Sequence, residues 1–444
     1  MSKFITRDFL RAKKDASGKG LYVKNFSLPF FSLTTYYQNF TNEIALIFEN
    51  IYEKLEINKQ INALLMGDKV NFTENKPALH HYYRNPLIQN EDYDLIKKIS
   101  ALKSLVDAKK YKNIFMFGIG GSYEGPKLLQ EFTQKNKVIF ITGPDQDEFN
   151  YLVKPRLKEK NLYIFVSKSF TTEETLLSLS WLPKSKSRDN FLAITANRTG
   201  ALKLGFPSLN IIEFPDSIGG RYSIWSAVSA AVLDKNEAVD FLEGAKTVDQ
   251  EIISKSTLLK ALKTIVYYDI WCNNFLNKSN RVLLTYNWRL RSFSRYIQQL
   301  EMESLGKPMG AGSLFKKTGQ TVYGGFGSVA QHSYFQLLHQ GTSNSASDIV
   351  HSRSDFSNLL NAQAEGQGKL LSGKFKFSKG AYATNSNIPV NFFLLESLSI
   401  KSLGALIAFW EYRVFLTAAL LEINPFDQFG VYAGKKIASR ILKR

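Results

Sequence analysis

Cysteine is nearly absent from this chain, since Cys272 is the only one among 444 residues. A single thiol cannot close an internal disulfide, and it cannot supply a zinc site that needs several cysteines. The sequence therefore excludes a disulfide-stapled secreted scaffold and a cysteine-rich zinc module. This cysteine usage fits a reducing compartment, so we expect a cytoplasmic protein.

Long uninterrupted apolar runs are also missing. A helix that crosses a bilayer needs about 20 predominantly apolar residues, and the most apolar stretch, Ser402 to Ile423, contains Glu411 and Arg413. The N-terminal residues are charged and lack the apolar segment of a signal peptide. We expect Ser402 to Ile423 to form a buried helix, and we expect no membrane partner.

Acidic residues are scarce relative to basic ones. The chain has 57 Lys and Arg against 39 Asp and Glu, which gives a net charge of +18. Such an excess suits nucleic acid, an anionic membrane or small anionic substrates, or it is spread over the whole surface. The basic clusters at 154–160 and 184–188 are short and interrupted, whereas nucleic-acid-binding proteins typically carry a long basic stripe. The sequence therefore predicts no nucleic-acid partner.

Apolar residues are plentiful, at 44% of the chain, with 33 Phe and 21 Tyr. From about residue 100, helical segments alternate with short apolar runs at 113–122, 138–144, 161–170, 190–195 and 210–214. Such runs are typical of parallel strands that are buried on both faces. We expect an α/β fold with one domain over 96–235, a second and more helical domain over 236–444, and a helical segment over 1–95 that packs on this core.

Gly118 to Ser122 (GIGGS) stand where the first of these strands should end and a helix should begin. Glycines let a backbone approach a ligand closely, and a helix N-terminus offers N–H groups to an anion. The same glycines also fit a tight turn between strand and helix. Because the spacing departs from the dinucleotide motif G-x-G-x-x-G, the sequence does not favour NAD.

The segment SKSFTTEET follows the strand predicted at 161–170. It places four hydroxyl groups beside one cation: Ser167, Ser169, Thr171, Thr172 and Lys168. Capping the next helix takes only one hydroxyl group. With Ser122 at a neighbouring strand end, this set is suited to hold the oxygens of a phosphate monoester.

Four further residues are candidates for proton transfer or charge stabilisation. Arg221 follows two glycines and can reach an oxyanion, although for this motif alone a surface arginine on a structural turn is the better explanation. Glu303 lies near the C-terminal end of a predicted helix, where a negative charge is unfavourable, and this suggests a general base, although a lone glutamate more often faces solvent. His339 ends a helix predicted over 328–340 and suits acid–base chemistry. Lys435 lies on a predicted C-terminal helix, where a lone lysine is usually a surface residue.

Six segments, taken in order, carry a resemblance: GIGGS, SKSFTTEET, GGRYSIWSA, QQLEMESLGK, QHSYFQLLHQGT and FDQFGVYAGKK. The set resembles the glucose-6-phosphate isomerase (phosphoglucose isomerase) family over residues 118–442, and the segment at 71–86 is similar to its N-terminal part. The resemblance implies two sugar-isomerase domains, each with a parallel sheet flanked by helices. It implies reversible isomerisation of glucose 6-phosphate to fructose 6-phosphate, no metal or other cofactor, and a homodimer with shared sites.

The resemblance also implies a role for each candidate. The substrate phosphate would be bound by Ser122, Ser167, Lys168, Ser169 and Thr172, and the sugar would be contacted by Gly121, Gln299 and Gln428. Glu303 would move a proton between C2 and C1, while Arg221 stabilises the enediolate. His339 from the neighbouring subunit would assist ring opening, with Lys435 beside the ring oxygen.

Several positions depart from the family pattern, including Ser169, where threonine is usual, and Phe429, where tryptophan is usual. Leu305 replaces an asparagine after Glu303, and Tyr432 replaces a glutamate near Lys435. None of these changes removes a proposed catalytic group. Three alternatives stay open: an isomerase of another sugar phosphate, a non-catalytic sugar-phosphate sensor, and a nucleic-acid binder suggested only by the charge.

Overall fold

The structure, a computed structural model, describes residues 2–85, 87–88, 90–135, 137–183, 188–310, 313–353 and 358–442. Most of the basic cluster at 184–188 and the last residue of the segment at 71–86 lie outside this part. The strands are β1 Tyr22–Leu28, β2 Phe31–Tyr37, β3 Asn113–Phe117, β4 Ile139–Ile141, β5 Asn161–Val166, β6 Phe191–Thr195, β7 Ile211–Glu213, β8 Asn280–Thr285, β9 Thr321–Phe326, β10 Ser345–Ser352 and β11 Val390–Leu395. The helices are α1 Ser2–Ala16, α2 Asn42–Lys54, α3 Ile57–Met66, α4 Leu95–Lys109, α5 Gly121–Thr133, α6 Gln146–Leu152, α7 Glu173–Trp181, α8 Arg198–Lys203, α9 Lys235–Ile253, α10 Thr257–Phe275, α11 Phe293–Leu305, α12 Gly327–Gln331, α13 Phe335–Gln340, α14 Asn358–Ser372, α15 Ile400–Leu420 and α16 Tyr432–Ile441.

The chain divides into two compact units. Unit 1 comprises 1–78, 247–288 and 293–444, and unit 2 comprises 79–246 and 289–292. These bounds differ from those expected at 95 and 235. The first 78 residues belong with the C-terminal α/β region, and residues 79–95 belong with the central one.

Unit 2 holds a parallel sheet of order β4-β3-β5-β6-β7. The five apolar runs predicted as strands form this sheet, so that prediction is confirmed. Every residue of β5 and β6 is buried, because helices cover both faces of a parallel sheet. The core is aromatic and is centred on Phe115, Phe117, Phe165 and Phe191.

Unit 1 holds a mixed sheet of order β1-β2-β11-β10-β8-β9. Strands β11, β10, β8 and β9 are parallel to one another, and the hairpin β1–β2 is added antiparallel at the β11 edge. The prediction of a helical segment over 1–95 is therefore wrong at Tyr22–Tyr37. Strand β1 is mostly exposed and lacks the continuous apolar run by which the inner strands were recognised. Its aromatic and β-branched residues nevertheless favour a strand.

Two helices of unit 1, α2 and α15, follow from their local sequence. Helix α2 has Thr41 as its N-cap, with the hydroxyl accepting a hydrogen bond from the Ile44 backbone N–H. Helix α15 is, among the described residues, the one helix whose length and apolar composition would let it cross a membrane, and its apolar window is entirely buried within the fold. It therefore forms the predicted buried helix, packed on α10 and α11.

Candidate active site

The loops that follow β3 and β5 leave the sheet of unit 2 where the strand order reverses. Strand β4 lies on one side of β3, and β5 lies on the other. In open parallel sheets, ligands bind at the carboxyl ends of the strands at such a switch point. The two segments that were singled out for phosphate binding, 118–122 and 167–175, are these two loops. The topology therefore brings them to one edge of the sheet.

The first loop joins β3 directly to α5. Gly120 has φ of +62°, a left-handed conformation that favours glycine. A Cβ at Gly121 would lie 1.9 Å from the carbonyl oxygen of Gly220, two residues before Tyr222. Ser122 lies half-buried in the first turn of α5. The glycines therefore allow this turn to pack against the loop that carries the candidate arginine.

The second loop is held by its own hydroxyl groups. Ser167 Oγ accepts a hydrogen bond from the Phe170 backbone N–H at 3.1 Å and lies 2.8 Å from Thr172 Oγ1. Ser169 Oγ accepts hydrogen bonds from both the backbone N–H and the hydroxyl group of Thr171. Thr172 is the N-cap of α7, yet its side chain makes no capping hydrogen bond. Helix capping therefore does not explain this concentration of hydroxyl groups.

Lys168 provides the positive charge of the second loop. Its Nζ lies 3.2 Å from Asp216 Oδ1, and its side chain is 35% exposed. An exposed pair of this kind adds little to stability. The pair nevertheless links the second loop to the start of the third loop, which ends in the motif around Arg221.

Arg221 lies on a 3₁₀ turn, Gly220–Trp225, and is only 2% exposed. The interpretation as a surface arginine is therefore wrong. Its guanidinium lies 5.4 Å from the centre of the Tyr222 ring. The turn packs against Gly121 of the first loop, so this cation lies beside the phosphate-binding candidates, where an arginine is suited to bind an anion.

The segment His80–Arg84 packs against the turn Gly220–Trp225, a contact that the sequence did not reveal. The ring of His80 stacks on Tyr222 with 4.6 Å between centroids, and the Arg84 guanidinium lies 4.7 Å from the Trp225 ring. Burial lowers the pKa of His80, and the charges of His81 and Arg84 lower it further. A neutral His80 thus supports the turn, and the run of aromatic residues at 80–83 was the available signal.

Helix α11 brings Gln299 and Glu303 together in unit 1. Gln299 Nε2 donates a hydrogen bond to Glu303 Oε2 at 3.3 Å, as expected for side chains four residues apart on a helix. The other amide atom, Gln299 Oε1, is buried without a partner among the described residues. Buried polar atoms are normally hydrogen-bonded, so this acceptor is suited to a hydroxyl group of a ligand.

A cluster of buried charges, which the sequence did not predict, anchors α11 in unit 1. Its members come from five different elements: Asp269, Arg281, Glu301, Asp348 and Arg413. Glu301 Oε1 accepts hydrogen bonds from Arg281 at 3.1 Å and from Trp410 Nε1 at 2.8 Å. Arg413 donates to Asp269 at 2.8 Å and to Asp348 at 2.9 Å. Burial raises the pKa of Glu301, although the two arginines act in the opposite direction.

His339 ends the short helix α13. The single helix expected over 328–340 is wrong, because α12 ends before an exposed His332 and α13 begins at Phe335. His339 Nε2 lies 2.8 Å from Oε1 of Gln367 on α14, whereas its Nδ1 is buried without a partner among the described residues. Burial lowers the pKa of His339, and the bond to Gln367 raises it to a smaller extent. The ring is therefore neutral near pH 7 and has one nitrogen available.

The last two candidates lie in the C-terminal segment. Gln428 and Lys435 are both exposed, and Lys435 lies on α16. Tyr432 stands three residues before Lys435, so the two share a face of this helix. Among the described residues, no three His, Cys, Asp or Glu side chains are arranged to hold a metal ion.

Known proteins match this chain along most of its length. A family model described as phosphoglucose isomerase matches residues 36–444. Proteins named glucose-6-phosphate isomerase from Legionella pneumophila (strain Paris) and Sphingopyxis alaskensis are each 33% identical, covering 87% and 88% of this chain and 84% of their own length. A crystal structure titled glucose-6-phosphate isomerase from Chlamydia trachomatis shares the fold, with a TM-score of 0.80 at 24% identity over 99% of this chain and 95% of that one. With a family model that matches residues 36–444 and relatives that are 33% identical, this chain belongs to the phosphoglucose isomerase family.

Proposed function

We propose that this protein catalyses the reversible isomerisation of glucose 6-phosphate to fructose 6-phosphate. One observation on this family member carries the proposal. The loop at 167–175, the glycine turn at 118–122 and the loop with the buried Arg221 are neighbours in unit 2. Such an arrangement is suited to a phosphate monoester and to an anion that develops during the reaction.

The phosphate group would be bound by the loops of unit 2. The residues are Ser122, Ser167, Lys168, Ser169 and Thr172, with the Gly121 backbone close by. Hydroxyl groups and one cation match the oxygens and the charge of a phosphate monoester. This contact uses a part of the substrate that does not react, and its binding energy can be used to orient the reacting carbons.

The isomerisation itself needs a base and a group that stabilises an oxyanion. Glu303 would remove the proton from C2 of the open-chain aldose, which gives a cis-enediolate, and would return the proton to C1 to form the ketose. Arg221 would stabilise the negative oxygen of this intermediate. Gln299 and Gln428 would hold the sugar hydroxyl groups. Gln299 Oε1, which has no partner in the described part of the chain, is an acceptor available for this purpose.

The sugar ring must open before the proton can move. We assign this step to a neutral His339, whose Nδ1 is available as a proton acceptor, and to Lys435 beside the ring oxygen. We further propose a homodimer in which His339 of the partner subunit serves each site. The exposed Phe375, Phe377 and Tyr382 of unit 1 support an interface, since large exposed aromatic residues are enriched at interfaces.

We also propose that the protein acts in the cytoplasm, in glycolysis and gluconeogenesis. Its one cysteine, Cys272, is buried and forms no disulfide, which is compatible with a reducing compartment.

A coupled assay tests the proposed function. Fructose 6-phosphate is supplied, glucose 6-phosphate is detected through its dehydrogenase, and wild type is compared with Glu303→Gln. We expect kcat to fall about 10²–10⁴-fold in the variant, with binding of inorganic phosphate retained. The matched control is Glu53→Gln, which changes an exposed glutamate of unit 1 and should keep full activity.

The other outcomes separate the alternatives. Wild-type turnover that Glu303→Gln leaves intact removes Glu303 from the role of base but keeps the reaction. No wild-type turnover, with fructose 6-phosphate still bound, points to a sugar-phosphate sensor. Turnover of a different sugar phosphate points to another aldose–ketose isomerase on this fold.

A further inference from the structure

Lys307 is a mostly buried lysine that follows Glu303 by four residues. Its side chain is 11% exposed, and its Nζ donates hydrogen bonds to the backbone oxygen of Glu303 and, at 2.7 Å, to that of Asp427. The same Nζ lies 3.4 Å from Asp427 Oδ1. Lysine is rarely buried without a partner, and a cation that contacts the last carbonyl groups of a helix is favourable. Lys307 therefore joins the end of α11 to the segment at 424–428.

Asp427 continues this connection to a third segment. Its Oδ2 accepts a hydrogen bond from Thr73 Oγ1 at 2.7 Å. Asn424 Nδ2 donates to Asn71 Oδ1 at 2.8 Å and to Thr73 Oγ1 at 2.6 Å. The buried side chains of Asn71, Asn424 and Asp427 are hydrogen-bonded here, as buried polar groups normally are. We name these five residues, Lys307, Asp427, Thr73, Asn424 and Asn71, the Lys307 cluster.

The Lys307 cluster lies next to two residues of the proposed mechanism. Its ammonium group holds the backbone of Glu303, the proposed base, and the backbone of Asp427, which directly precedes Gln428. A shift of about 1 Å in a catalytic group can cost about 100-fold in rate. Keeping these two backbone positions at a fixed separation should therefore affect the catalytic rate more than the affinity for the phosphate group.

We propose that Lys307 and Asp427 are positioning residues for the isomerisation, and that their pairing fixes the end of α11 relative to the segment before Gln428. The inference rests on the proposed function of Glu303. Neither residue touches the reacting atoms in this scheme, so both act through Glu303 and Gln428.

The test compares Lys307→Met, Asp427→Asn and the double variant with wild type. We expect each single variant to lower kcat about 10- to 100-fold, with KM for fructose 6-phosphate and the inhibition constant of inorganic phosphate changed less than about threefold. Because the two residues act as one unit, the double variant should be no slower than the worse single variant. Lys59→Met, which changes an exposed lysine of unit 1, is the matched control and should not alter kcat.

The double variant separates positioning from simple stabilisation. Removing one charge takes away the ion-pair partner of the other and leaves the desolvation of that charge less compensated, whereas removing both charges relieves this penalty. We therefore expect urea denaturation to show that the double variant is more stable than Lys307→Met, while its kcat stays low. A kcat that recovers together with stability, or a kcat that neither single variant lowers, would overturn the positioning role. If wild type itself lacks turnover, the proposed function fails first, and the inference fails with it.

Discussion

The two sets of proposed active-site residues are supported in different ways. In unit 2, the phosphate-binding loop is held by contacts between near neighbours in sequence, such as Ser167 and Phe170, three residues apart. In unit 1, the surroundings of Glu303 depend on distant pairs, such as Thr73 and Asp427, which are 354 residues apart. A local motif therefore carries the first set almost completely, whereas the second depends on charges that only the folded chain brings together.

The largest effect should come from breaking the buried charge cluster of unit 1. Arg413→Met leaves Asp269 and Asp348 without their main cation. Removing one partner of a buried ion pair typically costs about 3–5 kcal/mol, and we expect a loss of this size in the free energy of unfolding measured by urea denaturation. Arg11→Met removes an exposed arginine that lies 3.8 Å from a carboxylate oxygen of Asp8 and of Glu43, and it should cost less than about 1 kcal/mol. Equal losses in the two variants would show that burial does not distinguish these charges.

An intermediate effect should come from the packing of the loops in unit 2. A Cβ at Gly121 would lie 1.9 Å from the Gly220 carbonyl oxygen, so Gly121→Ala must separate the first loop from the turn that carries Arg221. We expect a stability loss of about 1–3 kcal/mol and a rise of about tenfold or more in KM for fructose 6-phosphate. Gly143→Ala is the matched control, because a Cβ there meets nothing within 4 Å. An unchanged KM in Gly121→Ala would mean that this close approach does not shape the phosphate site.

The smallest effect concerns the pH dependence of stability in unit 2. The folded state lowers the pKa of His80 through burial and through His81 and Arg84. Its stabilising contribution is therefore complete above the unfolded pKa of about 6.5 and is lost as the pH falls towards the folded-state value. Wild type should lose about 1 kcal/mol more than His80→Phe between pH 7.5 and 5.5.

The comparison for His80→Phe is a double difference. Each protein is unfolded by urea at both pH values, so any lost hydrogen bond of His80 cancels within the variant. Phenylalanine keeps an aromatic ring against Tyr222, and it does not titrate. Identical pH dependence in both proteins would show that His80 is not the group that couples folding to protonation here.

Sequence reasoning succeeded where structure follows from local pattern. The inner strands of unit 2 are continuous apolar runs because helices cover both faces of the sheet. It failed at the hairpin β1–β2, whose edge strand is mostly exposed, and at β10, which buries polar residues such as Ser347 and Asp348. The buried Asp348 is stabilised by Arg413, Asn391 and Arg281, which come from other elements of the chain.

The sequence by itself determined the α/β class, the order of the family segments and the loops that carry hydroxyl groups, because short-range patterns encode strands, helix starts and glycine turns. The tertiary structure decided that Arg221 is buried, that Gln367 contacts His339, and that Lys307 joins the end of α11 to Asp427. The physical reason is the desolvation of charged and polar groups. Whether a charge is buried, and which partner then stabilises it, depends on residues that meet only when the chain is folded.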